Sequence, residues 1–132
     1  MHVGCVSRLH DMYRVVWVLL ALVFSAQGEI VISEFLADNS SGIKDEDGDR
    51  SDWIELYNNG DDAVSLEGWW LTDKASSMTQ WRFPAITIQP NQFLLVWASG
   101  KNRTRAGYPL HTNFSLSKGG EYLGLYRPHA TS

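Results

Sequence analysis

The sequence predicts an all-β protein, an immunoglobulin-like antiparallel β-sandwich of about eight or nine short strands, behind an N-terminal signal peptide. Three observations predict it. No helical spacing of apolar residues runs through 29–132. Short β-rich segments recur there, each bounded by Gly, Pro, Asn or Asp. Ahead of them stands a basic flank, an apolar run and then small residues.

The leader comes first. Arg8 and Arg14 precede the apolar stretch 15–24, which is too short to span a bilayer. Ser25, Ala26 and Gly28 supply the small residues of a cleavage site. The expectation is cleavage after Gly28, export to the cell surface or medium, and no stable membrane span afterwards. Cys5, the single cysteine, leaves with the leader. The remaining domain, 29–127, then relies on its core without a disulfide, and 128–132 reads as the start of a linker or a truncated end.

Strand signals follow in order. Segment 29–36 carries Ile30, Val31, Ile32 and Phe35. Polar residues 38–51 separate it from 53–57, and Asn58-Asn59-Gly60-Asp61 marks a turn. Short strands are expected at 63–66, 69–71, 80–83 and 86–88, the last two stopped by Pro84 and Pro90. Segment 93–97 is almost entirely apolar, as in a strand lying centrally or covered on both faces. After a loop over 98–109, strands are expected at 112–116 and 122–126, joined through Lys118-Gly119-Gly120. Trp70, Trp81 and Trp97 are assigned to the core, whereas Trp53 and Trp69 are candidate surface rings.

Charge is divided along the chain. Residues 29–73 hold 13 acidic and two basic side chains, and 74–132 hold seven basic and one acidic. Packing of the two halves would cancel much of this. The acidic balance argues against a nucleic-acid partner.

The segments IVISEFLADNSS (30–41), DEDGDRSDWIELYN (45–58) and LEGWWLTD (66–73), then WRFP (81–84), FLLVWASGK (93–101) and HTNFSLSKGGEYLGLY (111–126), together resemble the lamin tail domain, in its bacterial secreted form. The resemblance spans the whole chain after the leader and rests on the order and spacing of six motifs. It implies an immunoglobulin-like sandwich without catalytic activity. In bacteria such modules stand in secreted or surface proteins, often beside hydrolase or CotH-like kinase domains.

Candidate site residues fall in two groups. Asp45, Asp47 and Asp49 alternate, and Asp52 follows. Oxygen ligands at such spacing suit calcium. The loop is not an EF-hand, since glycine stands at its fourth position (Gly48) and leucine at its twelfth (Leu56). No cofactor is expected, with calcium as the one candidate ion; the alternative is a solvated loop whose aspartates cap turns. The second group is Trp53, Glu55, Tyr57 and Trp69, as a binding face with aromatic walls. Against that, Glu55 pairs with Arg82 or Arg127 across strands. His111 lacks a partner in the local sequence and reads as a loop or strand-edge residue. Lys101, Arg103 and Arg105 read as a charge-balancing loop, and Asn39, Asn102 and Asn113 begin glycosylation sequons.

The functional expectation is a non-catalytic, secreted binding, adhesion or targeting module of a larger extracellular protein, with an unknown protein or polysaccharide ligand. The alternatives are a carbohydrate-binding module using Trp53 or Trp69, and the N-terminal part of a secreted enzyme.

Overall fold

The computed structural model describes residues 29–120 and 122–129. The expected leader and residues 130–132 of the expected linker lie outside the described residues. No helix among the described residues is long and apolar enough to cross a membrane.

Among the described residues, nine strands build a two-sheet sandwich with a small ribbon. They are β1 (Ile30–Leu36), β2 (Asp52–Asn58), β3 (Val64–Ser65), β4 (Trp70–Thr72), β5 (Trp81–Arg82), β6 (Thr87–Ile88), β7 (Phe93–Ala98), β8 (Leu110–His111) and β9 (Gly124–Tyr126). One sheet has the order β1-β2-β7-β8 and the other β5-β4-β9, while β3 and β6 pair as a ribbon. Ile54, Leu56 and Val96 from the first sheet join Leu71, Trp81 and Leu125 from the second in one buried cluster.

β2 shows why the sheet forms where it does. Its alternate residues Ile54 and Leu56 are fully buried, so Trp53, Glu55 and Tyr57 point to the outer face. Their partners on β7 are Trp97, Leu95 and Phe93. β1 keeps register with β2 up to Ile32 and then slips by one residue. The extra residue of this bulge is Ser33. Its hydroxyl is within 2.7 Å of a Glu55 carboxylate oxygen and 3.2 Å of the Glu55 carbonyl.

The outer face of this sheet is dry at one end only. Phe93 is 60% exposed, whereas Trp97, four residues along the same strand and on the same face, is 6% exposed. Trp97 stacks near His111, its neighbour on β8, and His111 is fully buried. The cover at this end includes the acidic loop, whose Glu46 reaches the His111 ring.

Two details differ from the sequence expectation. The strand expected at 112–116 lies instead at Leu110–His111, and 112–116 keeps only an isolated bridge between Ser115 and Ser99. Thr112 N–H goes to the Trp97 carbonyl, so the segment continues past β7 as a buried tether. Second, β8 pairs with β7 in parallel, while the other described pairs are antiparallel. A parallel partner needs a crossover rather than a hairpin, and residues 99–109 supply it.

Asn58 ends β2 and is fully buried. Its amide donates to the carbonyls of Asp62 and Ile88, and its oxygen accepts from Gly60 N–H. One side chain thereby closes the 58–62 turn and ties it to β6. Asn58→Ala would remove a buried partner from the Ile88 carbonyl and the Gly60 N–H and release the Asp62 carbonyl from the turn. It should lower unfolding free energy by about 3 kcal/mol in urea titrations, while the neighbouring Asn59→Ala should stay within about 0.5 kcal/mol.

Candidate functional site

The acidic loop turns on Asp45. Its side chain has no exposed surface. One carboxylate oxygen accepts the N–H groups of Asp47 and Asp49, both at 3.0 Å, the arrangement by which aspartate organises a turn. The other accepts the Ser51 hydroxyl at 2.7 Å. Gly48 reverses the chain at a φ of 85°, a conformation open to glycine, and its N–H reaches the Asp45 carbonyl. The carboxylates of residues 45, 47 and 49 therefore converge.

The group they converge on is an ammonium. Lys101 Nζ lies 2.6 Å from Asp45, 2.8 Å from Asp47 and 2.9 Å from Asp49, so each of its three N–H donors has a carboxylate. Arg103 extends the network to Glu46 at 2.5 Å and to Asp47 at 2.7 Å. The balancing role expected of the basic loop is thus exercised on the acidic loop itself. Burial by itself would raise the Asp45 carboxyl. The bonds from Lys101, Ser51 and the two amides outweigh it and hold Asp45 far below the usual carboxylate range. Burial would lower Lys101, but the three carboxylates raise it well above an ordinary lysine. Arg103 and Lys101 likewise depress Asp47.

Behind the cage lies His111. Its Nε2 meets both Glu46 oxygens, at 2.8 and 2.9 Å, and its Nδ1 meets the Ser99 hydroxyl at 2.7 Å. The sequence reading found no partner for His111. The fold supplies two, from positions 12 and 65 residues away. A serine, a histidine and a carboxylate in line have the composition of a hydrolytic relay. Here the ring is fully buried, and Ser99 Oγ also accepts Lys101 N–H at 3.1 Å. Both ring nitrogens and the hydroxyl are engaged inside the fold, so the arrangement ties the loop to β8.

The sequence-selected residues do not form one site. Asp45, Asp47 and Asp49 bring oxygens within 4.8 Å of one another, a grouping that a cation could use. Asp52 stands apart and accepts Asn39 N–H at 3.1 Å. Calcium at the three carboxylates would compete with Lys101 for the same oxygens. Trp53, Glu55 and Tyr57 do share the outer face of β2, half-buried, with Tyr57 stacked on Phe93 at 4.5 Å. Glu55 makes no bridge to Arg82 or Arg127. It meets Ser33 and faces Glu34 across the strands, and the two guanidinium groups lie over Trp70 and Trp69 instead.

Trp69 is a correction. It is 7% exposed and belongs to the core, with Arg127 covering its ring at 5.2 Å, so it offers no open stacking face. Its neighbour Trp70, assigned to the core from sequence, is only half-buried. Consecutive strand residues point to opposite faces, and a Trp-Trp pair leaves that choice undecided locally. Trp70 borders a groove of about 620 Å³ with Gln80, Arg82, Asn102 and Asn113. Among the sequons, Asn39 is buried with its amide bonded to the Ile43 and Ser51 carbonyls, whereas Asn102 and Asn113 are exposed.

Two outcomes test the cage. Lys101→Met leaves the Asp45 carboxylate buried without its cation and should cost about 3 kcal/mol at pH 7. A depressed carboxyl contributes stability above its unfolded pKa of about 3.9 and loses it as pH falls through the folded value. The gap between native and variant, read by urea unfolding, should therefore narrow as pH falls from about 5 towards 2. Millimolar calcium should leave the melting temperature of the native chain unchanged and raise that of Lys101→Met, because only in the variant are the three carboxylates released from the ammonium.

Comparison with known proteins agrees with this architecture. Searches of the curated proteins and of the solved structures found no match. The family model of the Lamin Tail Domain, an immunoglobulin-like and non-catalytic module, matches residues 24–132. By sequence match and by fold, the chain belongs to the lamin tail domain family.

Proposed function

We propose that the chain acts outside the cell as a binding, adhesion or targeting module and carries no catalytic activity of its own. One observation carries the reading. The groups that could have done chemistry, His111, Ser99, Glu46 and Lys101, are spent holding loops together, while aromatic rings with polar neighbours remain open on the sandwich surface. A rigid scaffold with accessible loops and grooves is suited to recognition.

The leader pattern and the lack of cysteine in 29–132 support export. The Lys101 cage supports a module that needs no cofactor, because an internal ammonium already occupies the point where the loop's carboxylates converge. The net acidity supports a protein or polysaccharide partner over nucleic acid. The resemblance of the six sequence motifs to the bacterial secreted form supports placement within a larger extracellular or cell-surface protein.

Expression of the full chain with a C-terminal tag, followed by cell fractionation and N-terminal sequencing, tests the reading. The expected result is a protein outside the cytoplasm beginning at Glu29. A cytosolic protein that retains Met1 would overturn it.

A further inference from the structure

We propose that the groove beside Trp70 is a binding site for an uncharged saccharide chain. The proposal deepens the reading of the chain as a binding module and rests on it. The groove lies along β5, the edge strand of the three-stranded sheet, and is also lined by Asn102, Thr104 and Asn113. Its volume of about 620 Å³ is in the range of ligand sites.

Three features of its lining point to a sugar. The first is the ring. Trp70 is half-buried, with part of its surface open to the groove, and Arg82 lies over it at 5.8 Å, near the outer limit of a cation–π contact. An indole surface so loosely covered suits the apolar face of a pyranose, as aromatic rings combine contact area with a polar setting.

The second feature is spare hydrogen-bonding capacity on braced groups. Gln80 Oε1 is fixed by the Thr72 hydroxyl at 2.7 Å and Asp73 N–H at 3.0 Å. That orients its amide while leaving the NH₂ without a partner among the described residues. Asn113 donates to the Gln80 carbonyl at 2.8 Å, which holds its side chain and leaves its oxygen without a donor among the described residues. Groups already held in place lose little freedom on binding.

The third feature is charge. Glu67 and Arg82 both line the groove, and neither has an ion-pair partner among the described residues. One carboxylate and one guanidinium together favour a ligand whose groups both donate and accept. Hydroxyls do both. A strongly anionic chain would meet Glu67, and a cationic one Arg82, so the balance selects a neutral glycan.

Affinity electrophoresis of the purified full chain tests this, in native gels cast with hydroxyethylcellulose, galactomannan, laminarin or polygalacturonate. At least one of the three neutral polymers should retard the protein, with little dependence on salt. Trp70→Ala should weaken that retardation about tenfold, and Glu67→Gln should weaken it as well. Phe35→Ala, exposed on the other sheet, should bind as the native chain does. Unfolding midpoints for each variant separate lost binding from lost folding, and Glu67→Gln, on an exposed side chain, keeps the test sound if Trp70→Ala is unstable. Failure of all three neutral polymers, retardation by polygalacturonate alone, or full retention in both variants would overturn the site. Export is read separately by the N-terminal sequence, so failure of this site and failure of the extracellular reading are distinguishable.

Discussion

Asp45, Asp47 and Asp49 would repel one another if brought together in isolation, and the backbone turn at Gly48 brings them together. Lys101 makes that turn tenable by placing one ammonium within hydrogen-bond reach of all three. Much of one end of the sandwich depends on this contact. It holds residues 45–49 against the crossover 99–109, which in turn sets Glu46 over His111. With the loop in place, His111 is fully buried and Trp97 nearly so. Electrostatic pairing in the loops and apolar packing on the sheet are therefore coupled at this end.

The same economy of polar groups recurs at the opposite end of β2. Asn58 is buried and satisfied by three backbone partners. Buried polar side chains of this kind specify geometry more than they add net stability, since their desolvation offsets most of what their bonds gain. In a fold with no cysteine among residues 29–132, such ties do the positioning that a disulfide does elsewhere. The surface proposed for recognition is polar and aromatic: the Tyr57–Phe93 pair on one sheet, and Trp70 with its groove on the other.

Particular residues show what was legible in the chain and what was not. Ile54 and Leu56 alternating with Trp53, Glu55 and Tyr57 declared both a strand and its two faces, and the structure keeps that pattern. The Asn58-Asn59-Gly60 turn was equally readable. The tryptophan pair was not, because two adjacent large rings fit either face and the register of β4 decides between them. The relation of Ser99, His111 and Glu46 was also hidden, since no local spacing marks residues that lie 65 positions apart. The opposed charge of the two halves hinted that acidic and basic loops would meet. It could not select Lys101 over Arg103 or Arg105 as the cation at the centre.

The sequence by itself determined the all-β class, the strands bounded by turn residues, the core face of β2 and the family to which the chain belongs, because each of these is written in neighbouring residues or in their order. Only the tertiary structure decided that the acidic loop encloses a lysine, that Trp70 rather than Trp69 meets solvent, and that β8 joins β7 in parallel. The physical reason is range. Side-chain alternation is a property of a few consecutive residues, whereas charge pairing, burial of an outer face and choice of strand partner are set by segments that meet only when the two sheets close.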